Sequence, residues 1–385
     1  MVAGILLGPS LFGWLFPGAA SAIFPPDSLG FLSAVSQVGV VLFMFLMGLE
    51  VDPQLLRRKG RTAVVTSQAG IFVPFVLGAA LGAFLYPRLS TEGVKELHFV
   101  IFMGTAMSIT AFPVLARILN ERGLLVTNVG TMAMACAAVD DVAGWSILAA
   151  VVLLTRSHEV GASMGLTLLG LLTFGAVLLL VVRPLLRKLV DIYVRRDVLS
   201  NDLMALVLLL VLGSALASEA IGVHALFGAF VLGVVVPRRS DFVRAIIGKM
   251  QDLVVVLLLP LFFALTGLRT QIGLLTGASM WGYCGLVLLV AIVGKFGGAS
   301  VAARVSGLSW REAGALGVLM NTRGLVELVI LNIGLEIGVI SPSLFTMMVI
   351  MALVTTIITT PLLEWIYPSP AEERQAAARL VEKTV

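Results

Sequence analysis

Apolar runs of about twenty residues recur along the whole chain, each ended by glycine, proline or a short charged stretch. A helix needs roughly 20 residues to cross the hydrocarbon of a bilayer. The pattern therefore predicts twelve spanning segments, at approximately 1–16, 29–49, 62–86, 97–116, 127–155, 162–182, 202–219, 221–236, 250–268, 276–303, 312–335 and 342–367. The seventh and eighth are short and meet in a tight turn at 219–222. Strands of a membrane barrel alternate apolar and polar over about ten residues, and uninterrupted runs of twice that length exclude one. The expectation is an all-α polytopic membrane protein.

Composition supports this. Of 385 residues, 59% are hydrophobic and only 12% charged, where a soluble domain carries about 25% charged residues. The net charge of +4 does not indicate a nucleic-acid partner, because the basic residues sit in short loops where they set topology. Twenty Lys and Arg fall on one side of the twelve-segment partition and four on the other. The positive-inside rule then places the C-terminus in the cytoplasm, with the loop Arg57-Arg58-Lys59-Gly60-Arg61 and the basic region Arg183–Arg196. The 368–385 tail reads as a short cytoplasmic extension, helical and frayed over 372–383. Cys136 and Cys284 lie inside apolar runs and fit neither a disulfide framework nor a metal motif. His98, His158 and His224 fall at or near segment ends and read as interfacial. No cleavable signal is expected, since the first run passes straight into Gly8-Pro9-Ser10 without a basic flank. Gly294-Lys295-Phe296 lacks the spacing and the Ser/Thr of a P-loop. ATP drive is unsupported and no cofactor is expected, which leaves a secondary transporter or a channel.

Polar residues at depth carry the chemistry. Asp140 and Asp141 lie in the middle of the apolar run 126–154. An ionised Asp at the bilayer centre costs roughly 2.5–3.5 kcal/mol on insertion scales, and two neighbours repel. Consecutive residues of a helix point about 100° apart, so the two aspartates serve different partners; helix geometry leaves open which serves which. Lys295, midway along the tenth segment and flanked by Gly294, Gly297 and Gly298, is the available counter-ion. Small residues beside it allow another helix to come close. In the fourth segment, Gly104-Thr105-Ala106-Met107-Ser108-Ile109-Thr110-Ala111-Phe112-Pro113, the proline removes a donor and frees carbonyls around Ile109 and Thr110. Such groups are tolerated in a membrane only when buried or lining a cavity. Ser108 and Thr110 beside them predict an unwound stretch that helps hold a cation, the alternative being a proline kink with hydroxyls bonded back to the helix. The eleventh segment holds Asn321, Arg323, Glu327 and Asn332. Arg323 and Glu327, spaced i, i+4, can pair on one face in a structural role, the alternative being direct ion handling, and Gly324 suggests a second break. Loop charges give the fourth and eleventh segments opposite directions. Interrupted polar segments of opposite direction in the two halves point to an inverted-repeat transporter with its site at the midplane.

Four stretches then resemble one family: Ser108-Ile109-Thr110-Ala111-Phe112-Pro113-Val114-Leu115-Ala116-Arg117, Ala138-Val139-Asp140-Asp141-Val142, Phe262-Phe263-Ala264-Leu265-Thr266-Gly267-Leu268-Arg269 and Asn321-Thr322-Arg323-Gly324-Leu325-Val326-Glu327-Leu328. They are similar, in order and over nearly the whole chain, to the monovalent cation:proton antiporter family 2, with its NapA-type, Kef-type and CHX-type members. The resemblance implies an NhaA-like fold with two broken helices crossing beside the carboxylates. It implies a mobile core (about 62–155 and 276–367), a dimerising panel (about 1–49 and 202–268), hence a homodimer, and a bacterial cell membrane. By motif position Asp141 is the carboxylate that binds the monovalent cation or the proton, Asp140 pairs with Lys295, and Thr110 sits at the crossing. Ser108, Pro113, Asn321, Arg323 and Glu327 are supporting residues. Asp before Asp is NapA-like while 321–328 is closer to CHX, so Na⁺ is the first expectation and K⁺ the second. The chain starts partway through the family's second helix, which implies a truncated or misplaced start.

The implied activity is secondary active cation/proton antiport by alternating access. A cation channel and a non-transporting sensor subunit are the alternatives. An intramembrane aspartyl protease holds its two aspartates on separate helices, whereas both lie on one here, so no enzyme is expected.

Overall fold

The computed structural model describes residues 1–50, 60–125, 127–156, 162–196, 198–237 and 240–368. The 57–59 part of the basic loop, His158 and the 372–383 tail lie outside them. The described residues fold into helices throughout, with one isolated bridge between Ser90 and Ile340. In chain order the helices are α1 (Val2–Leu7), α2 (Phe12–Leu15), α3 (Pro17–Ile23), α4 (Pro26–Glu50), α5 (Gly60–Leu89), α6 (Glu96–Ser108), α7 (Phe112–Glu121), α8 (Asn128–Arg156), α9 (Ala162–Val177) and α10 (Arg183–Arg196). They continue with α11 (Asn201–Ala220), α12 (Ala225–Val235), α13 (Ser240–Asp252), α14 (Leu259–Arg269), α15 (Gly277–Ile292), α16 (Gly298–Val305), α17 (Trp310–Met320), α18 (Leu325–Glu336) and α19 (Pro342–Ile366). Among the described residues eight helices are long and apolar enough to span a bilayer, or nine when the bent pair α17/α18 counts as one. Val2–Leu15 and Ala225–Val235 are shorter apolar stretches, and the fifth predicted segment is the 29-residue α8.

Several boundaries differ from the hydropathy reading, each for a local reason. The first segment is two short helices, because Pro9 cannot continue the donor ladder of α1. The sixth segment does not stop at 182. It runs through a π-helical turn, Leu178–Val182, into α10, so the basic region read as a loop is helix. Leu186, Leu189 and Val190 are buried there while Arg187 and Lys188 face outward, the stripe of an amphipathic helix. The ninth segment likewise passes through a π turn, Leu253–Leu258, between α13 and α14, and the tenth through Val293–Gly297 between α15 and α16. Such single π turns recur at functional positions, and the third one contains Lys295.

The chain divides into two compact units, Met1–Val51 with Ala149–Gly273, and Asp52–Leu148 with Leu274–Val385. In the first, small residues let backbones touch, the packing device of membrane helices. A Cβ on Gly4 would fall 2.5 Å from the Ala264 carbonyl oxygen, and one on Gly48 would fall 2.2 Å from that of Phe230. Ser10 fastens the gap after α1, donating to the Thr270 carbonyl at 2.7 Å and accepting from the Ile272 N–H at 3.1 Å.

The second unit holds every buried charged residue among the described ones. α5 packs along α6 and α16, again through glycines: Gly78 lies against Met107, Gly104 against Phe75, Gly298 against Val73 and Gly294 against Pro74. Starts are set locally. Ser309 and Glu312 form a capping box on α17, and Ser341 caps α19 ahead of Pro342, arrangements that satisfy otherwise orphaned N–H groups. Just past the end of α7, Arg122 pairs with Glu364 of α19.

Candidate functional site

Two helices of this unit are interrupted. Between α6 and α7, residues 109–111 are extended, with Ile109 at φ −86°, ψ 143° and Ala111 at φ −88°, ψ 93°. Pro113 stands in the first turn of α7, where its missing N–H removes nothing the helix would use. The predicted proline interruption is thus a full break two residues upstream of the proline. Between α17 and α18, residues 321–324 are non-helical and the two halves bend by 41°. The breaks cross. The Ala111 N–H donates to the Thr322 carbonyl at 3.0 Å. A Cβ on Gly324 would fall 2.7 Å from Val114 and 3.1 Å from Ala111, so glycine is what permits the approach.

A broken helix leaves its last four carbonyls without intrahelical partners. At the end of α6 each has a replacement. The Thr105 carbonyl accepts from the Ser108 hydroxyl at 2.8 Å. Those of Ala106 and Met107 accept from the Arg323 guanidinium at 2.9 and 2.7 Å, and that of Ser108 accepts from Lys295 Nζ. Two cations therefore stand at the negative end of a half-helix dipole, where they are favoured. At the positive end, the N-terminus of α7, the Phe112 N–H faces the Asp141 carboxylate.

Lys295 is fully buried. Its ammonium donates to Asp140 Oδ2 at 2.7 Å, to the Ser108 carbonyl and to the Gly70 carbonyl at 2.8 Å. Helical bonding would give the Gly70 carbonyl to residue 74, but Pro74, inside α5, has no N–H. The lysine takes the acceptor that the proline left. Asp140 is filled on both oxygens: Ser67 donates to Oδ1 at 2.7 Å, and Oδ2 receives Lys295 and the Thr110 hydroxyl at 2.8 Å. That hydroxyl also lies 3.0 Å from the Met320 carbonyl at the end of α17, and its single proton serves one acceptor at a time. Asp141 differs. It is buried, and its Oδ1 makes no hydrogen bond within the chain.

Arg323 sits in the second break rather than on the helix with Glu327, and still pairs with it at 3.3 Å. Its backbone is held by one hydroxyl on α19: Thr356 accepts from the Arg323 N–H at 3.0 Å and donates to the Arg323 carbonyl at 2.7 Å. Asn321 ends α17, with its side-chain Oδ1 buried and making no hydrogen bond. The structure thus brings Asp140, Thr110, Ser108 and Lys295 into one hydrogen-bonded group, places Asp141 on the next residue of the same helix, and joins Arg323 and Glu327 to the same crossing.

The chain matches the sodium/hydrogen exchanger transmembrane family over residues 1–367. It is 44% identical over 372 residues to the Na(+)/H(+) antiporter NhaS4 of Synechocystis, covering 96% of this chain and 90% of that protein. The chain belongs to the sodium/hydrogen exchanger family. It is therefore a membrane transporter and not an enzyme. Cation/H(+) antiporter 19 of Arabidopsis thaliana is 41% identical over 370 residues, which cover 95% of this exchanger-family chain and 46% of the plant protein; the chain spans about half of that relative. The fold matches that of the sodium proton antiporter MjNhaP1 from Methanocaldococcus jannaschii, with a TM-score of 0.56 at 16% identity over 94% of this chain and 88% of that one.

Ser67, Thr356 and Pro74 adjoin this candidate site of the exchanger-family chain and were not singled out by sequence. The first two had a signal. Thr66-Ser67-Gln68 and Thr355-Thr356 are runs of polar residues inside otherwise apolar spans. Isolated hydroxyls usually bond back to their own helix, as Thr355 does to Met351, and nothing in the sequence separates Thr356 from its neighbour.

Proposed function

We propose that the chain exchanges a monovalent cation, Na⁺ first and K⁺ second, for protons by alternating access, with Asp141 as the residue that carries either ion. The observation that carries this reading is the contrast between adjacent carboxylates: Asp140 has every oxygen occupied, whereas Asp141 is buried with a free Oδ1. A buried carboxylate with an open acceptor site gains by taking a proton or a cation. Both ions compete for one oxygen pair, which is the simplest form of exchange. Asp140 and Lys295 hold the site's frame, and Thr110 ties that frame to the second break. In this proposal the unit of Asp52–Leu148 and Leu274–Val385 is the moving core. The other unit is the panel through which two copies dimerise in the cell membrane, and the C-terminus is cytoplasmic.

The test uses everted vesicles with a pH-sensitive dye and additions of Na⁺, Li⁺ or K⁺. Wild-type protein should give cation-induced dequenching, and Asp141→Asn should abolish it while the purified protein keeps its thermal unfolding midpoint. A wild-type signal from Asp141→Asn overturns the reading.

A further inference from the structure

The basic region Arg183–Arg196 lies outside the candidate site, and its helix carries a face that nothing in its own unit covers. α9, the π turn Leu178–Val182 and α10 run on as one helix. At 1.5 Å per residue it is about 50 Å long, well beyond the roughly 30 Å of bilayer hydrocarbon. Exposed Leu169, Leu172 and Leu180 mark its lipid-facing part, and the charged α10 is the end that reaches the headgroups. One face of α10 is occupied. Leu186, Leu189 and Val190 are buried, and the Tyr193 ring packs on Phe242 of α13 with centroids 5.4 Å apart.

The neighbouring face is open. Leu185, Lys188, Ile192 and Arg195 are all exposed. Steps of three, four and three residues put them on one stripe, since positions three and four apart are neighbours on a helix. Apolar and basic side chains therefore alternate along it. Basic groups elsewhere on the surface are engaged: Arg117 by Glu121, Arg122 by Glu364, Arg244 by Asp241 and Lys249 by the Leu199 carbonyl. By contrast, Arg183, Arg187, Lys188 and Arg195 make no hydrogen bond or ion pair among the described residues. The sequence of α10 sets five bases against one acid, the exposed Asp191.

We propose that this stripe of α10 is a binding surface for anionic phospholipid, with Lys188 and Arg195 on headgroup phosphates and Leu185 and Ile192 against the upper acyl chains. Setting topology needs positive charge but no apolar residue interleaved with it at helical spacing. A helix lying along the interface needs both, because long basic side chains extend to the headgroups while their apolar neighbours stay in the boundary layer. A second copy of the chain fits less well. A two-fold contact sets a patch against itself, which here means base against base. Bound lipid holds α10, and through Tyr193 and Phe242 also α13, at the membrane surface.

The experiment titrates the full chain, purified in neutral detergent, with fluorescent phosphatidylglycerol or phosphatidylcholine of the same acyl chains. Phosphatidylglycerol should bind more tightly. Lys188→Gln/Arg195→Gln should weaken it about 30-fold, at about fivefold for each base near an anionic surface, and Arg195→Lys should keep the binding. Leu185→Ser/Ile192→Ser should weaken both lipids and leave the preference between them. Equal binding of the two lipids overturns the proposal. So does a phosphatidylglycerol preference that survives the Lys188→Gln/Arg195→Gln variant, which would put the lipid elsewhere. Displacement by millimolar inorganic phosphate, beyond that of chloride at equal ionic strength, makes the surface a site for free phosphate and overturns the lipid assignment. A change of oligomeric state in the same double variant without lipid makes the stripe an interface between copies and overturns it too. Binding is read without transport, so no outcome depends on the antiport reading.

Discussion

Replacing Lys295 by methionine tests the frame of the site. The substitution keeps length and removes three donors from a fully buried position. Breaking a buried ion pair by removing one partner costs about 3–5 kcal/mol. The orphaned carbonyls of Ser108 and Gly70 each add about 1–3 kcal/mol, since the first lies at a helix break and the second faces a proline. The total approaches the net stability of a whole domain, about 5–15 kcal/mol, so Lys295→Met should lower the thermal midpoint severely. The double variant Asp140→Asn/Lys295→Met separates the terms. It removes the uncompensated carboxylate and leaves only the orphaned carbonyls, so it should be no less stable than Lys295→Met alone, with a favourable coupling of about 2–3 kcal/mol, near the top of what contacting residues show. The assay is thermal unfolding of the four detergent-purified proteins, followed by intrinsic fluorescence. If the double variant falls by the sum of the two single losses, the pair is not coupled and the reasoning fails.

Two further substitutions probe the crossing itself. Thr356→Val removes the hydroxyl that bonds both backbone groups of Arg323, at about 1–3 kcal/mol for each polar group left buried; it should slow cation-driven proton flux and lower the unfolding midpoint, and Thr356→Ser should restore both. Equal behaviour of valine and serine would remove Thr356 from the site. Gly104→Val builds a Cβ 2.8 Å from the Phe75 carbonyl oxygen and 3.1 Å from its ring, and since overpacking costs typically 1–3 kcal/mol the midpoint should drop by several degrees, whereas an unchanged midpoint would mean that α5 and α6 do not touch there.

How far the sequence reaches depends on what marks a residue as costly. Asp140, Asp141, Lys295 and Arg323 stand out because each is charged within an apolar run, and the structure buries all four in one unit. The same contrast located both breaks, through Pro113 and Gly324. Backbone partners leave no such mark. Four of the acceptors at the site are carbonyls, of Gly70, Ala106, Met107 and Ser108, and a carbonyl is free at those positions only because a proline or a break has taken its donor away. The π turn around Lys295 is equally silent, since one extra residue in a turn barely alters the apolar period.

The assignment of the two aspartates shows what the backbone adds. Side-chain geometry on α8 lets either one meet Lys295. The orientation of the broken helix removes that freedom, because the end of α6 presents carbonyls and the start of α7 presents N–H groups. Lys295 is drawn to the carbonyl end, where it finds Ser108, and the aspartate beside that end is Asp140. Asp141, about 100° further round the helix, faces the start of α7 at Phe112 instead. One polar end fixes the cation and the other receives the carboxylate. On this view Lys295 is a cap for two orphaned carbonyls as much as a counter-ion. Losing Asp140 alone therefore does not release it, and Asp140→Asn should disturb the site less than Lys295→Met.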